Sequence, residues 1–255
     1  RIYGKVFIGL KFKDNITLDS QQNVKDRIKT ELTDNLSIMS IDTDFVDPIT
    51  TRMLLTTSFN LDPDLTSSTP SAMEAQVQSL ISNFFTNNLK KFNKVFRRSN
   101  ILTLIDALDP AILNSKMDVQ LKQGFVPTLN ISLQYKINFP TTIAVPDDEQ
   151  YRVISTNFIF NNQTCFIRNA LKSTKLQIIS VDGTIESDNI GSYDASSGEV
   201  TLVGFKPTGI SGNQIDISIV PANQNTVRPL RNFILDLDAA FSTSRALLDF
   251  QNTQV

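Results

Sequence analysis

The sequence lacks most of the side chains on which catalysis and metal binding depend. Its 255 residues contain no histidine, no tryptophan and one cysteine, Cys165. Without histidine, neither a Ser-His-Asp nor a Cys-His relay can be built, and a zinc site of the Cys/His type is excluded within this chain. A single cysteine also excludes an internal disulfide bond. Its position in the strand-like run 164–167 predicts a buried thiol that serves as a small apolar group.

Glycine is scarce, and charge of one sign does not dominate. The 9 glycines form no phosphate-binding loop, because the pattern at 209–212 lacks both the lysine and the following helix. The 24 basic and 26 acidic residues leave a formal net charge of -2, which favours neither nucleic acid nor an anionic membrane surface as a partner. No apolar run approaches the ~20 residues of a membrane span. We therefore expect no catalytic residue, no cofactor, no bound metal, and no nucleic-acid or membrane partner.

Carboxylates are the remaining candidates for chemistry. Asp42, Asp44 and Asp47 are close together in one predicted loop, but this loop lacks the central glycine and downstream glutamate of a calcium-binding loop. Asp236 and Asp238 are two residues apart, so on a strand they would share its solvent-facing side. Nothing in the sequence selects a pair of acids for glycoside hydrolysis. We expect these side chains to be solvated.

The first half of the sequence alternates between strand and helix patterns. Strands are predicted over 3–13 and 51–61, and a helix is predicted between them through about residue 36. The helix after Pro70 has the clearest start, with Ser71 as N-cap and Glu74 completing a capping box, followed by an apolar stripe. With a further strand near 94–96, this order predicts a ferredoxin-like split βαβ unit with added strands. The sequence begins in a strand-like segment without methionine, so we expect it to be part of a longer chain.

The second half has no helical period and indicates a small all-β module. Short strand patterns recur between turn signals such as Asp182-Gly183 and Ser197-Gly198. The fold class expected from the whole sequence is therefore α+β. We predict an α+β domain over 1–142, a β-rich domain over 150–231, and a C-terminal tail over 232–255 that contains a strand and a possible short helix.

Phenylalanine is abundant, and its positions suggest a surface for association. The chain contains 17 Phe but only 4 Tyr, a composition more typical of core packing than of a sugar-binding platform. A helix with Phe on more than one side can bury its second side against another subunit. We predict that the exposed side of the helix over 71–90 and the tail from Phe233 contribute contacts, and the candidate interface residues are Phe84, Phe85, Leu89, Phe233 and Leu235.

The order of several short motifs resembles the C-terminal part of the baseplate wedge proteins of contractile-tailed bacteriophages, the baseplate-J-like group. Within this group the resemblance is strongest to the T4-type wedge proteins of the inner baseplate ring, and it spans roughly residues 3 to 235. The motifs, besides the Phe-rich helix, are Gly4-Lys5-Val6-Phe7-Ile8-Gly9, the helix Val24 to Leu36, Val46-Asp47-Pro48, Ser99-Asn100-Ile101, Ile105-Asp106, Ile190-Gly191-Ser192-Tyr193-Asp194, Ser197-Gly198-Glu199-Val200 and Val220-Pro221.

The resemblance implies a non-catalytic protein of the virion tail baseplate, assembled in the cytoplasm of the bacterial host. Members of this group form homodimers within wedges and join between wedges into a ring around the hub, and the ring rearranges when the sheath contracts. The implied partners are further copies of the chain, other wedge proteins and sheath-initiating components. No short motif defines the family's interfaces, so the resemblance assigns no site residue.

Two other functions remain open from the sequence. A receptor- or carbohydrate-binding module of a larger chain would fit the β-rich second half, although the lack of Trp weighs against it. A carboxylate-dependent hydrolase would need two acids with separated pKa values in one cleft.

Overall fold

The computed structural model describes residues 5–13, 15–36, 42–229 and 232–250. Within these ranges it contains the helices α1 (Leu18–Leu36), α2 (Pro70–Asn88) and α3 (Arg98–Asp106). The strands are β1 (Lys5–Gly9), β2 (Asp42–Val46), β3 (Ile49–Leu61), β4 (Phe96–Arg97), β5 (Ile112–Phe125), β6 (Leu133–Asn138), β7 (Val153–Ser155), β8 (Phe158–Phe160), β9 (Gln163–Asn169), β10 (Leu176–Ser180), β11 (Ile185–Ser187), β12 (Gly191–Asp194), β13 (Glu199–Phe205), β14 (Gly209–Ile210), β15 (Ile215–Ile219), β16 (Thr226–Val227), β17 (Phe233–Leu237) and β18 (Thr243–Leu248). The predicted α+β class is confirmed.

The long antiparallel pair of β3 and β5 is the centre of the largest sheet. The two strands are paired from Arg52 opposite Lys122 to Leu61 opposite Ile112. Every second residue of β3 from Thr51 onward is buried, as expected for a strand with one side in the core. The sheet continues in the order β11-β10-β9-β7-β15-β5-β3-β17. Through β5 this pair contacts α3 and is hydrogen-bonded to β15, a strand from the second half of the chain.

Backbone pairing crosses the boundaries predicted between domains. β15 is antiparallel to β5, and β13 is antiparallel to β6, so strands from 150–231 pair with strands from 1–142. β17, from the predicted tail, runs parallel to β3. The division into 1–142, 150–231 and 232–255 remains a prediction about folding units, since these units share sheets.

Helix α2 begins where the sequence predicts, but a different residue caps it. The side-chain oxygen of Thr69 accepts a hydrogen bond from the backbone N–H of Ala72, so Thr69 is the N-cap and not Ser71. Pro70 occupies the first turn, where its missing N–H costs nothing. Glu74 does not complete a capping box, because its carboxylate instead accepts a hydrogen bond from the N–H of Ala246 at 2.9 Å.

One part of the core lies between α2, α3 and the central sheet, and the same buried cluster continues into the strands of the second half of the chain. Along α2, Met73, Val77, Ile81 and Phe85 recur at every fourth position and are fully buried. Helix α2 contacts β17 and β18, and α3 contacts β5 and α2. The ring of Phe85 lies 6.1 Å from that of Phe96. The apolar period of 3.6 read from the sequence thus identifies the buried side of α2 correctly.

The strand pairing differs from that of the predicted ferredoxin-like unit. β1 runs parallel to β2 in a separate two-stranded sheet connected through α1. β4 contains two residues and pairs with β16 instead of joining the strands of the first unit. It is this short because α3 begins at Arg98, directly after it. The sequence also has a strand-like alternation over 37–42, and of this segment only Asp42 lies within the described residues.

The tail forms two strands along one edge of β3. β17 pairs with β3 from Ile49 to Met53, and β18 continues along the same strand from Thr56 to Leu61, both in parallel orientation. β18 occupies part of the tail (232–255) for which a possible short helix was predicted, and no helix occurs among the described residues of that tail, 232–250. The cause is the β3 edge, whose free backbone groups the tail satisfies.

Candidate assembly surface

The structure places the five predicted interface residues in different environments. Phe85, Leu89, Phe233 and Leu235 are buried within the chain itself, at 4% exposure or less. Phe85, Leu89 and Leu235 belong to the core cluster of this chain, and the role of all four residues in an interface stays a prediction. Phe84 is half-buried, and its ring packs against the core while part of it reaches the surface. Its role in an interface stays a prediction.

Phe84 lines a groove between α2 and α3. The groove has a volume of about 640 Å³ and runs along α2 from Ala75 to Asn88, which is about 20 Å of helix. Its apolar residues are Ala75, Leu80, Phe84, Leu104 and Leu108. Leu104 is 43% exposed, a high value for a leucine on a helix that packs against a core. The helices thus leave an apolar surface open on their outer side.

The polar residues of the groove are uncharged. They carry hydroxyl or amide groups, and no Lys, Arg, Asp or Glu lines the groove. Over its 19 residues, α2 has one charged side chain, Glu74, which points away from the groove to β18. The polar residues that line the groove are Gln76, Ser79, Asn83, Asn87 and Asn88.

The opposite side of α2 is fixed to the tail by hydrogen bonds. In addition to the bond from Ala246 to Glu74, the amide of Gln78 donates to the backbone oxygen of Ser242 at 3.3 Å and accepts from the hydroxyl of Ser244 at 2.9 Å. These bonds tie the helix to β18 and its preceding loop. α2 is therefore held rigidly on its sheet side while its groove side remains open.

Four charged side chains form a network on the central sheet. Lys122 Nζ lies 2.8 Å from Asp238 Oδ2 and 3.3 Å from Asp216 Oδ2. Arg52 contacts the same two acids, at 2.5 Å from Asp216 and 4.0 Å from Asp238. The side chains of Lys122 and Asp238 are 4% and 5% exposed. The network has no net formal charge and links β15, β5 and β3 to the residue that follows β17, so we interpret it as structural.

Asp238 corrects the expectation of a solvated pair of acids. Asp236 is partly exposed and forms an ion pair with Lys90 at 3.0 Å, whereas Asp238 is buried against Lys122. Asp238 does not share the solvent-facing side of Asp236, because β17 ends at Leu237. The backbone N–H of Asp238 donates a hydrogen bond to the backbone oxygen of Met53. The sequence does not indicate this network, because its four members come from distant parts of the chain.

Several other titratable groups have pKa values that are shifted by local burial or hydrogen bonds. Cys165 is buried, as predicted, and burial raises the pKa of its thiol. Burial also raises the pKa of Tyr193 to about 12, and hydrogen bonds from Ser196 lower the pKa of Asp194 to about 2. No group of three or more metal-ligating side chains occurs within the described ranges. Among the described helices, none is long and apolar enough to cross a membrane.

The comparisons with known proteins point to the same part of the fold. Residues 57–124 match a family model described as baseplate structural protein gp6, C-terminal domain III. The matched range contains the end of β3, α2, β4, α3 and most of β5, and therefore both helices of the groove. A comparison with curated protein sequences gives no match. The match covers about a quarter of the chain, and the family it identifies is structural rather than enzymatic. This similarity supports a phage baseplate structural protein, located in the virion tail baseplate.

Proposed function

We propose that this chain is a wedge component of the phage tail baseplate that forms homodimers within wedges. Between wedges, the dimers join into an inner ring around the hub, and this ring rearranges when the sheath contracts. The observation that carries the proposal is the match of residues 57–124 to a baseplate structural domain. The motif order over roughly residues 3 to 235 supports the more specific assignment to the wedge group.

The described surface is compatible with assembly. The groove between α2 and α3 offers apolar contact without charge, which resembles the central part of many protein interfaces. The network around Lys122 cross-links strands of the central sheet, and the bonds of Gln78 tie α2 to the tail strand β18 and the loop before it. A subunit of a ring has to transmit load between neighbours, and a cross-linked sheet suits that task. Other wedge proteins and sheath-initiating components are the proposed partners beyond the chain itself.

Labelling of intact phage tests the location. An antibody against this chain, applied to purified virions, is expected to bind at the tail tip, and mass spectrometry of isolated baseplates is expected to detect the chain. Image reconstruction of the baseplate should then show several copies arranged around the hub. Complete, infectious tails that contain no copy of the chain would refute the proposal. Specific binding on a glycan array, together with an absence from the baseplate, would favour the receptor- or carbohydrate-binding alternative.

A further inference from the structure

The outer side of α2 has an unusual chemistry for the surface of this protein. Charged residues make up 20% of the sequence, yet none of them lines the 20 Å groove between α2 and α3. Solvated helix faces usually carry Lys, Glu or Arg. Here the lining positions carry amides and a hydroxyl beside five apolar side chains. The composition is that of a surface which is covered by protein.

Most of the polar side chains that line the groove also retain their hydrogen-bonding capacity. Within the described residues, the side chains of Gln76, Ser79, Asn83 and Asn87 form no hydrogen bond with the rest of the chain. Asn88 differs, because its amide donates to the backbone oxygen of Phe84 at 3.1 Å. Four polar side chains along one line of α2 are thus available to a partner.

These groups are self-complementary in a way that charged groups are not. An amide carries both a donor and an acceptor, and a hydroxyl does the same, so each can pair with a copy of itself. In an isologous dimer the same patch lies on both subunits, and any net charge near the axis would face its like. The groove carries amides and a hydroxyl, which can pair with copies of themselves, and it carries no charge that would face its like across the axis. This chemistry selects a second copy of the chain over a charged partner.

From these features we infer that the groove between α2 and α3 docks the same groove of a second copy. The two α2 helices run antiparallel across a two-fold axis near Leu80 and Asn83, the middle of the lining segment. Phe84 and Leu104 of each copy bury their exposed parts against the other, and the free amides pair across the axis. This inference rests on the proposed function, since it names the surface through which copies of the chain pair.

Charge placed at Asn83 tests the symmetric contact. Asn83 is exposed and unbonded, so Asn83→Glu and Asn83→Lys are expected to fold like the natural chain, as circular dichroism would verify. Each variant alone brings like charges together near the axis and is expected to weaken self-association at least about tenfold in sedimentation equilibrium. An equimolar mixture of the two variants should recover dimers, because opposite charges then face each other. The matched controls are Gln134→Glu and Gln134→Lys, on the exposed side of β6, which should associate like the natural chain.

The outcomes separate this inference from the proposed function. Dimers that resist both charges at Asn83, or a mixture that stays as weak as the single variants, would overturn docking through this groove. So would a natural chain that stays monomeric at high concentration. Baseplate location is judged by labelling of virions, which does not depend on Asn83. A chain found in the baseplate but monomeric in solution would therefore reject the groove contact and retain the baseplate role.

Discussion

Replacing Lys122 with methionine is expected to lower the free energy of unfolding by about 3–5 kcal/mol. Methionine keeps most of the apolar stem of lysine and removes the charged ammonium group together with its hydrogen bond to Asp238. In the natural chain Lys122 Nζ lies 2.8 Å from Asp238 and 3.3 Å from Asp216. After the change, Asp216 keeps Arg52 at 2.5 Å, but Asp238 keeps only the weak contact with Arg52 at 4.0 Å.

The magnitude follows from the burial of Asp238. Its side chain is 5% exposed, so water cannot replace the lost ammonium group, and a buried charge left without its partner costs several kcal/mol. A typical domain has a total stability of about 5–15 kcal/mol, so the loss would be a large fraction of it. With a denaturant slope of about 3 kcal/mol per molar of urea, the unfolding midpoint should fall by about 1–2 M.

Lys90→Met is the matched control. Lys90 also pairs with an acid near β17, Asp236, at 3.0 Å, but both side chains are about one third exposed. An exposed pair contributes about 0–1 kcal/mol, so the same substitution should have little effect there. The double variant Lys122→Met with Asp238→Asn removes one charge of each sign and should recover much of the loss. Urea unfolding that shows Lys122→Met within about 1 kcal/mol of the natural chain, or no recovery in the double variant, would refute the reasoning.

Three further predictions concern the remaining contacts. Glu74→Ala should cost about 1–2 kcal/mol, because it leaves the N–H of Ala246 without its acceptor, and hydrogen exchange at that amide should accelerate. Gly198→Ala should destabilise strongly in thermal melts, since the glycine has φ +75 and an added Cβ would lie 2.2 Å from the backbone oxygen of Thr141. The pKa of Tyr193 is raised to about 12 in the folded chain. The stability that its neutral phenol gives to the folded chain is therefore present below about pH 10 and is lost as pH rises through 12. Tyr193→Phe should therefore flatten the loss of stability measured by urea unfolding between pH 9 and 12.

Local patterns in the sequence predict local structure well here. The helix after Pro70, the strand that ends at Leu61 and the buried thiol of Cys165 all follow from periodicity or composition, and each is found. The cap of α2 is displaced by two residues because Thr69 and Ser71 are chemically similar, and only backbone geometry chooses between them.

Long-range contacts are the part that the sequence could not provide. The network of Lys122 and Asp238 joins residues from β5 and the end of β17, and no local signal predicts that they meet. β18 has apolar residues that suit either a short helix or a strand, and the open edge of β3 decides the outcome. For the candidate surface, periodicity does not distinguish Phe84 from Phe85, although one lines the groove and the other is fully buried.

The tail strands have a consequence for the kinetics of folding. The edge of β3 is completed only when Phe233 reaches Ile49 and Leu248 reaches Leu61, contacts that are very distant along the chain. Contacts of this kind close late and slowly, because a long loop has to be ordered first. During synthesis the edge of β3 therefore stays unpaired until almost all of these residues have left the ribosome. In that interval the same edge is able to accept the tail of a neighbouring nascent copy. The time until β17 and β18 emerge therefore sets how long each new chain can exchange its tail with another.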